Sequence, residues 1–377
     1  MRDDRDIDQS PLMLAVRALR PSERVTDGEV DREYALVDEE VARMVRAAVG
    51  MGADVNRRPQ RAWPLMTYCA MRGCLEAMKA CLAAGAEVDA ARCDEEGDWF
   101  TALLHAGHGG HEAVVEALLE AGASATVGLD GEDETLLTVC QGIPTPSIVR
   151  RLAEAGADVC GGTSRRGYTA LMVAARMGNL AVMEALVDLG VDMTFANIYG
   201  RTAIHFATRT ASAEEVRWLA ERGVSVQGNG VNDSPLQFAC LFGHVDAVRA
   251  LIELGADVHY MGGEAETALH CAVQGSQEEA AVEIVRLLLA AGADARAVGR
   301  EGQTPLHMVM HAACVDPLVD AGADLEARDS RGRTPLRVAA SHSPCRVEVV
   351  VQLADRRMEE LRAQLSGGQP GLTAHAG

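Results

Sequence analysis

Three histidines stand three residues apart, a spacing that could place metal ligands on one face of a helix. They are His105, His108 and His111, and imidazole is a common ligand of zinc. Gly109 and Gly110 oppose this interpretation, because glycine favours the end of a helix before His111 is reached. The sequence therefore predicts no metal site here.

Other residue types that carry chemistry also lack a catalytic arrangement. Cys69, Cys74 and Cys81 contain no C-x-x-C pair, so we expect them to pack in the core. Aspartates and glutamates are numerous but recur at regular intervals, and no nucleophile elbow, phosphate loop or kinase signature is present. Gly228-Asn229-Gly230 fits a turn better than a phosphate cradle. We expect a non-enzymatic protein with no catalytic residue, no metal and no cofactor.

The regular intervals come from a repeated two-helix unit, which is clearest in residues 234–258. Ser234 suits the N-cap of a first helix, and Pro235 suits its first turn. Gly243 predicts that this helix ends in a left-handed cap, and Gly255 predicts the same for a second helix. The predicted buried stripe of the second helix consists of Val245, Val248, Leu251 and Ile252, at helical spacing.

Copies of this unit recur along most of the chain. Neither helix has enough apolar surface to fold alone, so each unit needs a copy on either side. The copies are spaced by about 33 residues, which is the period expected of a stacked repeat array. The predicted cap positions are Ser10, Pro64, Thr101, Thr135, Thr169, Thr202, Ser234, Thr267, Thr304 and Thr334.

This pattern resembles the ankyrin repeat over roughly residues 10–355. The resemblance lies in Thr-Pro-Leu-His at 304–307, in related motifs at the other caps, and in Gly-Ala-Asp triplets such as 255–257. It implies an all-α solenoid of about ten helix-turn-helix repeats with hairpin-like finger loops. It also implies that the last residue of the cap motif hydrogen-bonds to the neighbouring repeat, which concerns His205, His270 and His307.

The repeat pattern also predicts how the chain is divided. Residues 1–61 are expected to form a divergent N-terminal capping repeat, with an insertion of charged and turn residues at about 20–37. The array is expected to cover 62–345, followed by a C-terminal capping helix at 346–365 and a disordered tail at 366–377. Two local departures are expected, a fixed bend at Ile143-Pro144-Thr145-Pro146 and a short or distorted helix around Pro317.

Composition narrows the function classes. The net charge is −20 over 377 residues, so double-stranded nucleic acid is not an expected partner. Apolar runs are too short to cross a membrane, and the charged N-terminus is unlike a secretory signal. Scattered cysteines in small-residue positions indicate a reducing compartment, which we expect to be the cytoplasm, with the nucleus as an alternative.

The resemblance places partner contacts on the fingertips and on the exposed side of the first helices, which together form a concave groove. A fingertip precedes each cap, and the exposed helix positions follow the cap by seven and eight residues. Aromatic, Met and Arg side chains at such positions are typical of binding hot spots. The candidate protein-binding residues are Trp63, Phe100, Tyr168, Arg176, Met177, Tyr199, Arg201, Arg209, Leu241, Phe242 and Tyr260.

These features predict a protein–protein interaction module that acts as an adaptor, scaffold or inhibitor. We expect a monomer that binds another protein in the groove around residues 168–260. Two alternatives stay open: a substrate-recruiting or regulatory subunit of an enzyme complex, and a structural, self-associating array. The rings could also fold back onto the finger stems, and the acidic finger 94–98 or the insertion 20–37 could form a second site.

Overall fold

A computed structural model describes residues 30–56, 63–90, 92–93, 99–126, 135–160, 167–210, 212–228, 232–275, 277–341 and 346–367. The chain divides into two compact units, an N-terminal unit that ends at Asp192 and a C-terminal unit that begins at Met193. Both units are built from the predicted helix pairs. Within the described residues, no helix is long and apolar enough to span a membrane.

The described part of the N-terminal unit contains a long first helix, four helix pairs and one short β-ladder. The ladder is antiparallel and pairs Arg92 with Phe100 and Cys93 with Trp99, which makes the finger before the third repeat hairpin-like as predicted. The elements are α1 Val30–Gly50, α2 Leu65–Met71, α3 Leu75–Ala83, β1 Arg92–Cys93, β2 Trp99–Phe100, α4 Ala102–His108, α5 Glu112–Glu120, α6 Thr135–Cys140, α7 Pro146–Glu154, α8 Ala170–Met177 and α9 Leu180–Asp188.

The C-terminal unit continues the same alternation of a first and a second helix. Its fingers are tight turns such as that at 197–201, where the Asn197 amide donates to the Arg201 carbonyl over 2.9 Å. The helices are α10 Ala203–Ala207, α11 Glu214–Glu221, α12 Pro235–Phe242, α13 Val245–Glu253, α14 Ala268–Ala272, α15 Glu278–Ala290, α16 Pro305–Met308, α17 Val315–Asp320, α18 Pro335–Ser341 and α19 Val347–Gly367, with 3₁₀ turns at Arg300–Gly302 and Ala312–Cys314.

Capping groups fix where the first helices begin and end. The Ser234 hydroxyl accepts a hydrogen bond from the Gln237 amide at 3.3 Å, and the Gln237 side-chain oxygen accepts one from the Ser234 amide at 2.7 Å. This reciprocal pair satisfies two amides that the helix leaves free. Gly243 ends α12 at a φ of 75°, in the left-handed region that favours glycine. The predicted cap and stop are both confirmed.

The apolar core lies between the helices of each pair and between successive pairs. Leu236 on α12 and Val248 and Leu251 on α13 are fully buried, as the helical spacing predicts. Val245 and Ile252, the other two members of the predicted stripe, are only half-buried. Cys240 is also fully buried in a small-residue position of α12. Because every pair covers the apolar faces of its neighbours, the repeated sequence pattern produces a continuous core within each unit.

Ion pairs join the second helices of successive repeats. Arg217 on α11 bonds Glu253 on α13 at 2.8 Å, and Arg249 on α13 bonds Glu283 on α15 at 2.7 Å. All four side chains are about half exposed, so each pair contributes at most about 1 kcal/mol to folding stability.

The structure corrects two predicted boundaries. Helix α1 begins at Val30, so residues 30–37 are helical and do not belong to a turn-rich insertion. Helix α19 extends to Gly367, two residues into the predicted disordered tail. The position of α1 follows in part from Asp38, whose carboxylate accepts the amides of Glu76 and Ala77 at 3.0 and 2.8 Å and thereby caps α3. The predicted first helix at Ser10 lies outside the described residues.

Two irregular repeats behave as their sequences predict, and a third begins without a side-chain cap. Thr145 caps α7 by accepting the Ile148 amide at 3.4 Å, and Pro146 occupies the first helical position. Helix α17 is short, with Pro317 in its first turn, where the missing amide is tolerated. Pro64 provides no side-chain cap for α2.

Candidate protein-binding surface

Buried histidines tie three fingers of the C-terminal unit to the repeat before each of them. The Nδ1 of His205 accepts the Thr202 amide at 3.0 Å, and its Nε2 lies 3.1 Å from the carbonyl of Asp233. The acceptor role of Nδ1 requires the proton on Nε2, which then donates to that carbonyl. His270 and His307 make the same bonds, to the carbonyls of residues 303 and 333. The predicted cross-repeat role of the three histidines is confirmed.

Burial keeps these rings neutral. The pKa of His205 is lowered to about 4, mainly by desolvation and to a smaller extent by the nearby Arg201 guanidinium. Desolvation also lowers the pKa values of His270 and His307. Gly228 packs on the His205 ring at a φ of 70°, where a Cβ would lie 2.7 Å from the ring. The rings are therefore part of the frame that positions the fingers.

Two arginines and two phenylalanines form a stacked row on α12, on the finger before α10 and on the turn after α10. The Arg201 guanidinium lies 4.5 Å from the Phe238 ring centroid, and the Arg209 guanidinium lies 4.6 Å from that of Phe242. The two rings meet edge to face at 4.9 Å. We call Arg201, Arg209, Phe238, Leu241 and Phe242 the arginine–aromatic patch.

The outer members of this patch are exposed. Leu241 is 43% exposed and Phe242 is 39% exposed, whereas Phe238 beneath them is 4% exposed. The row therefore has a buried base and an apolar rim in solvent. The exposure predicted for Leu241 and Phe242 is confirmed by these values, while their contact with a partner stays a prediction.

The arginines of the patch differ from those on the second helices. Among the described residues, no carboxylate lies within ion-pair distance of Arg201 or Arg209, whereas Arg217 and Arg249 each bond a glutamate. Cation–π stacking holds a guanidinium in place but leaves its N–H donors available to an acceptor. The patch therefore combines exposed apolar surface with two positive charges that are not neutralised.

The tyrosines of the neighbouring fingers take part in finger-to-finger bonds. Asn232 donates through its side chain to the Tyr199 carbonyl, and the Tyr260 hydroxyl donates to the Asn232 carbonyl at 2.9 Å. The Tyr199 ring is 41% exposed and lies 5.7 Å from the Arg201 guanidinium, so it extends the patch. Tyr260 is half-buried, in keeping with the alternative that some rings stiffen the fingers.

The remaining candidate residues belong to the N-terminal unit. Arg176 and Met177 end α8 and are exposed, Met177 by 45%. Trp63 is half-buried and meets the His105 ring edge to face at 5.1 Å, and Tyr168 is also half-buried. The backbone of Phe100 lies in β2, but its side chain falls outside the described residues.

The three histidines whose spacing could have suited a metal ion take other roles in the structure. The His111 Nε2 lies 3.2 Å from the Met71 carbonyl, and the His108 Nδ1 lies 3.4 Å from the Thr138 carbonyl. Burial lowers the pKa of His105 to about 4. Across the described parts of the chain, no group of three or more His, Cys, Asp or Glu side chains could hold a metal ion.

Sequence reasoning missed Phe238, which is the base of the patch. It lies four residues before Phe242, a spacing that places both rings on one face of α12. That signal was present in the sequence, but Phe238 occupies a core position of the repeat, so its second role is visible only in the structure.

Helix pairs repeated about every 33 residues, with hydrogen-bonded fingers between them, define a helical repeat protein. The chain belongs to the ankyrin repeat family. One family model, described as ankyrin repeats in three copies, matches residues 136–229, 225–295 and 269–363. A second, described as ankyrin repeats in many copies, matches residues 66–119. Ankyrin repeats indicate a protein–protein interaction module, and such domains are typically non-catalytic.

One curated relative is a much larger protein. An 89-residue segment, 24% of this chain, is 32% identical to the E3 ubiquitin-protein ligase hecd-1 of Caenorhabditis elegans. The segment spans 3% of that protein, so the likeness concerns a repeat region alone.

Proposed function

We propose that this protein is an adaptor or scaffold that binds a partner protein through the arginine–aromatic patch of its C-terminal unit. The observation that carries the proposal is the stacking of Arg201 and Arg209 on Phe238 and Phe242, with no carboxylate of the described residues within ion-pair distance of either arginine. The exposed Leu241 and Phe242 contribute little to the core, and exposed apolar surface favours a partner that covers it.

The chemistry of the patch specifies the kind of partner segment. Two fixed guanidinium groups favour aspartate or glutamate, because arginine binds carboxylates through charge-assisted hydrogen bonds. The rim formed by Leu241 and Phe242 favours a bulky apolar side chain beside the acidic ones. The proposed ligand is therefore a peptide segment with alternating acidic and large apolar residues, presented by another protein.

Arg176 and Met177 repeat this combination of charge and apolar exposure in the N-terminal unit. We propose them as a separate, smaller contact. The similarity to hecd-1 concerns a repeat region alone, so the ligase activity in that protein's name is not proposed for this chain.

Selection of peptides against the intact chain tests the proposal. Random peptides displayed on phage should be enriched in sequences that carry acidic residues next to large apolar ones. Affinity of the enriched peptides is then measured for the wild type and for the double variant Arg201→Ala, Arg209→Ala. Loss of two anchoring guanidinium groups should weaken binding by roughly tenfold or more.

The second helices supply a matched control. The double variant Arg217→Ala, Arg249→Ala removes the same number of arginines from the other side of the same repeats, and it should bind the selected peptides like the wild type. Enriched peptides without acidic residues, or equal binding by the two double variants, would refute the assignment of the patch.

A further inference from the structure

The last helix, α19, is apolar on two opposite faces. Val349 and Leu353 are 2% and 1% exposed and pack against the repeats before them. On the opposite side, Val347, Val351 and Met358 are 63%, 52% and 49% exposed. A helix that covers the end of a repeat array needs one apolar face, and a polar outer face keeps the array soluble. Among the described residues of the unit, the second apolar face is left uncovered.

Ion pairs fix which face of α19 points outward. Arg356 bonds Asp320 on α17, Gln352 donates to Asp316 at 2.8 Å, and Arg357 bonds Glu326 at 2.9 Å. These contacts lie on the buried side of the helix. They hold α19 in one rotational setting, so the exposed face is presented in a fixed orientation.

The exposed face has the spacing of a two-helix seam. Its members are Val347, Val351, Ala354, Met358 and Leu361, separated by 4, 3, 4 and 3 residues. Apolar residues at alternating intervals of four and three are those that pack as knobs into the holes of a facing helix. We call these five residues the α19 seam.

The charges beside the seam select the partner helix and its direction. Glu348, Asp355 and Arg362 are exposed on one flank of the seam, and none of them has an ion-pair partner among the described residues. An antiparallel copy of α19 that places Val351 against Leu361 of the second chain also places Glu348 beside its Arg362. A parallel copy in register would instead leave Glu348 and Arg362 of the second chain at opposite ends of the seam, without this contact.

We propose that α19 pairs antiparallel with α19 of a second copy of this chain, so that the protein forms a two-fold symmetric dimer. The seam is self-complementary, as a two-fold interface requires, since the same residues meet from both sides. This departs from the monomer that the repeat pattern led us to expect. The seam runs only from Val347 to Leu361, about two heptads, so the dimer should form in a concentration-dependent manner.

Sedimentation velocity on the full chain tests this inference. With rising concentration, the wild type should shift from 40.0 kDa towards twice that mass. Met358→Glu places two acidic side chains in the seam and should weaken the dimer by at least about tenfold. Met261→Glu is the matched control, since Met261 is 47% exposed in the same unit but is not part of α19. It should leave the dimer unchanged.

Charge exchange tests the antiparallel direction. Glu348→Arg alone and Arg362→Glu alone should each weaken the dimer, and the two changes together should restore it. Asp355 lies beside its own copy near the two-fold axis, so Asp355→Asn should strengthen association. Circular dichroism of each variant checks that α19 remains folded, and Val351→Glu repeats the seam test if Met358→Glu unfolds.

Three outcomes would overturn the inference. A wild type that stays at 40.0 kDa at all concentrations excludes the second copy as the occupant of the seam. A dimer that survives both seam substitutions would place the interface elsewhere. Failure of the exchanged pair to restore association would exclude the antiparallel arrangement.

Discussion

Acid should destabilise the C-terminal unit through His205, and the chain itself supplies the replacement that tests this. At the equivalent position of the next repeat stands Gln237. Its side-chain oxygen accepts the Ser234 amide, and its nitrogen donates to the Glu266 carbonyl. Glutamine thus makes the same two bonds as His205 and does not titrate. His205→Gln should keep the fold at neutral pH.

The magnitude follows from the pKa of His205. Its ordinary value is 6.5, and burial lowers it to about 4 in the folded chain. The unfolded chain therefore takes up the proton first. The stability contributed by neutral His205 is present in full above the unfolded pKa and is lost as the pH falls through the folded pKa. By proton linkage, this group lowers the free energy of unfolding by about 2 kcal/mol at about pH 5 and by about 3 kcal/mol well below pH 4, relative to neutral pH.

Urea unfolding followed by circular dichroism measures this loss. Carboxylates also titrate in acid, so the informative quantity is the difference between the wild type and His205→Gln at about pH 7.5 and about pH 5. The variant should lose about 2 kcal/mol less than the wild type. The exposed His259 provides a control, since His259→Gln should follow the wild type. Parallel losses in the wild type and His205→Gln would refute the argument that His205 is buried in its neutral form.

Three further substitutions test the frame of the repeats by chemical unfolding. Leu251→Ala should lower the free energy of unfolding by about 2–5 kcal/mol, because it opens a cavity at a fully buried position. A decrease below about 1 kcal/mol would contradict the assigned register. Gln237→Ala should lower the free energy of unfolding by about 1–3 kcal/mol, since the buried Ser234 amide loses its acceptor. An unchanged free energy of unfolding would mean that a water molecule replaces the Gln237 side chain as acceptor. Gly243→Ala should lower the free energy of unfolding by about 1–2 kcal/mol, because alanine is strained at a φ of 75°. The added Cβ would make only an ordinary contact with Ala280, at 3.6 Å, so the loss would come from the backbone and not from a clash. An unchanged stability would exclude the left-handed cap.

Features that depend on a single repeat were predictable from the sequence. The cap at Ser234, the stop at Gly243 and the buried Leu251 each follow from local propensity and helical spacing, and all three are present in the structure. The bonds of His205 to the next finger were predicted from the family resemblance and are also present. Each of these features recurs in several repeats, so the copies reinforce one interpretation.

Features that depend on the surroundings of one position were less accessible. The start of α1 at Val30 was missed, because charged residues that suggested a turn-rich insertion belong to a helix. Phe238 was missed because the repeat pattern assigns its position to the core. The α19 seam was also missed, although its four-three spacing was present, because the charged face of α19 seemed sufficient for a capping helix.

The repeat pattern itself indicates where function is free to vary. Positions seven and eight after the cap are exposed or half-buried in the repeats that begin at Thr169, Thr202 and Ser234. Folding therefore places little demand on the residue type there, and a polar side chain would serve the frame equally well. Leu241 and Phe242 occupy these positions, so their apolar character needs a cause other than folding. Binding of a partner is the cause that we propose. The apolar rim and the positive charges of Arg201 and Arg209 beside it together suit a partner segment that contains acidic and apolar residues.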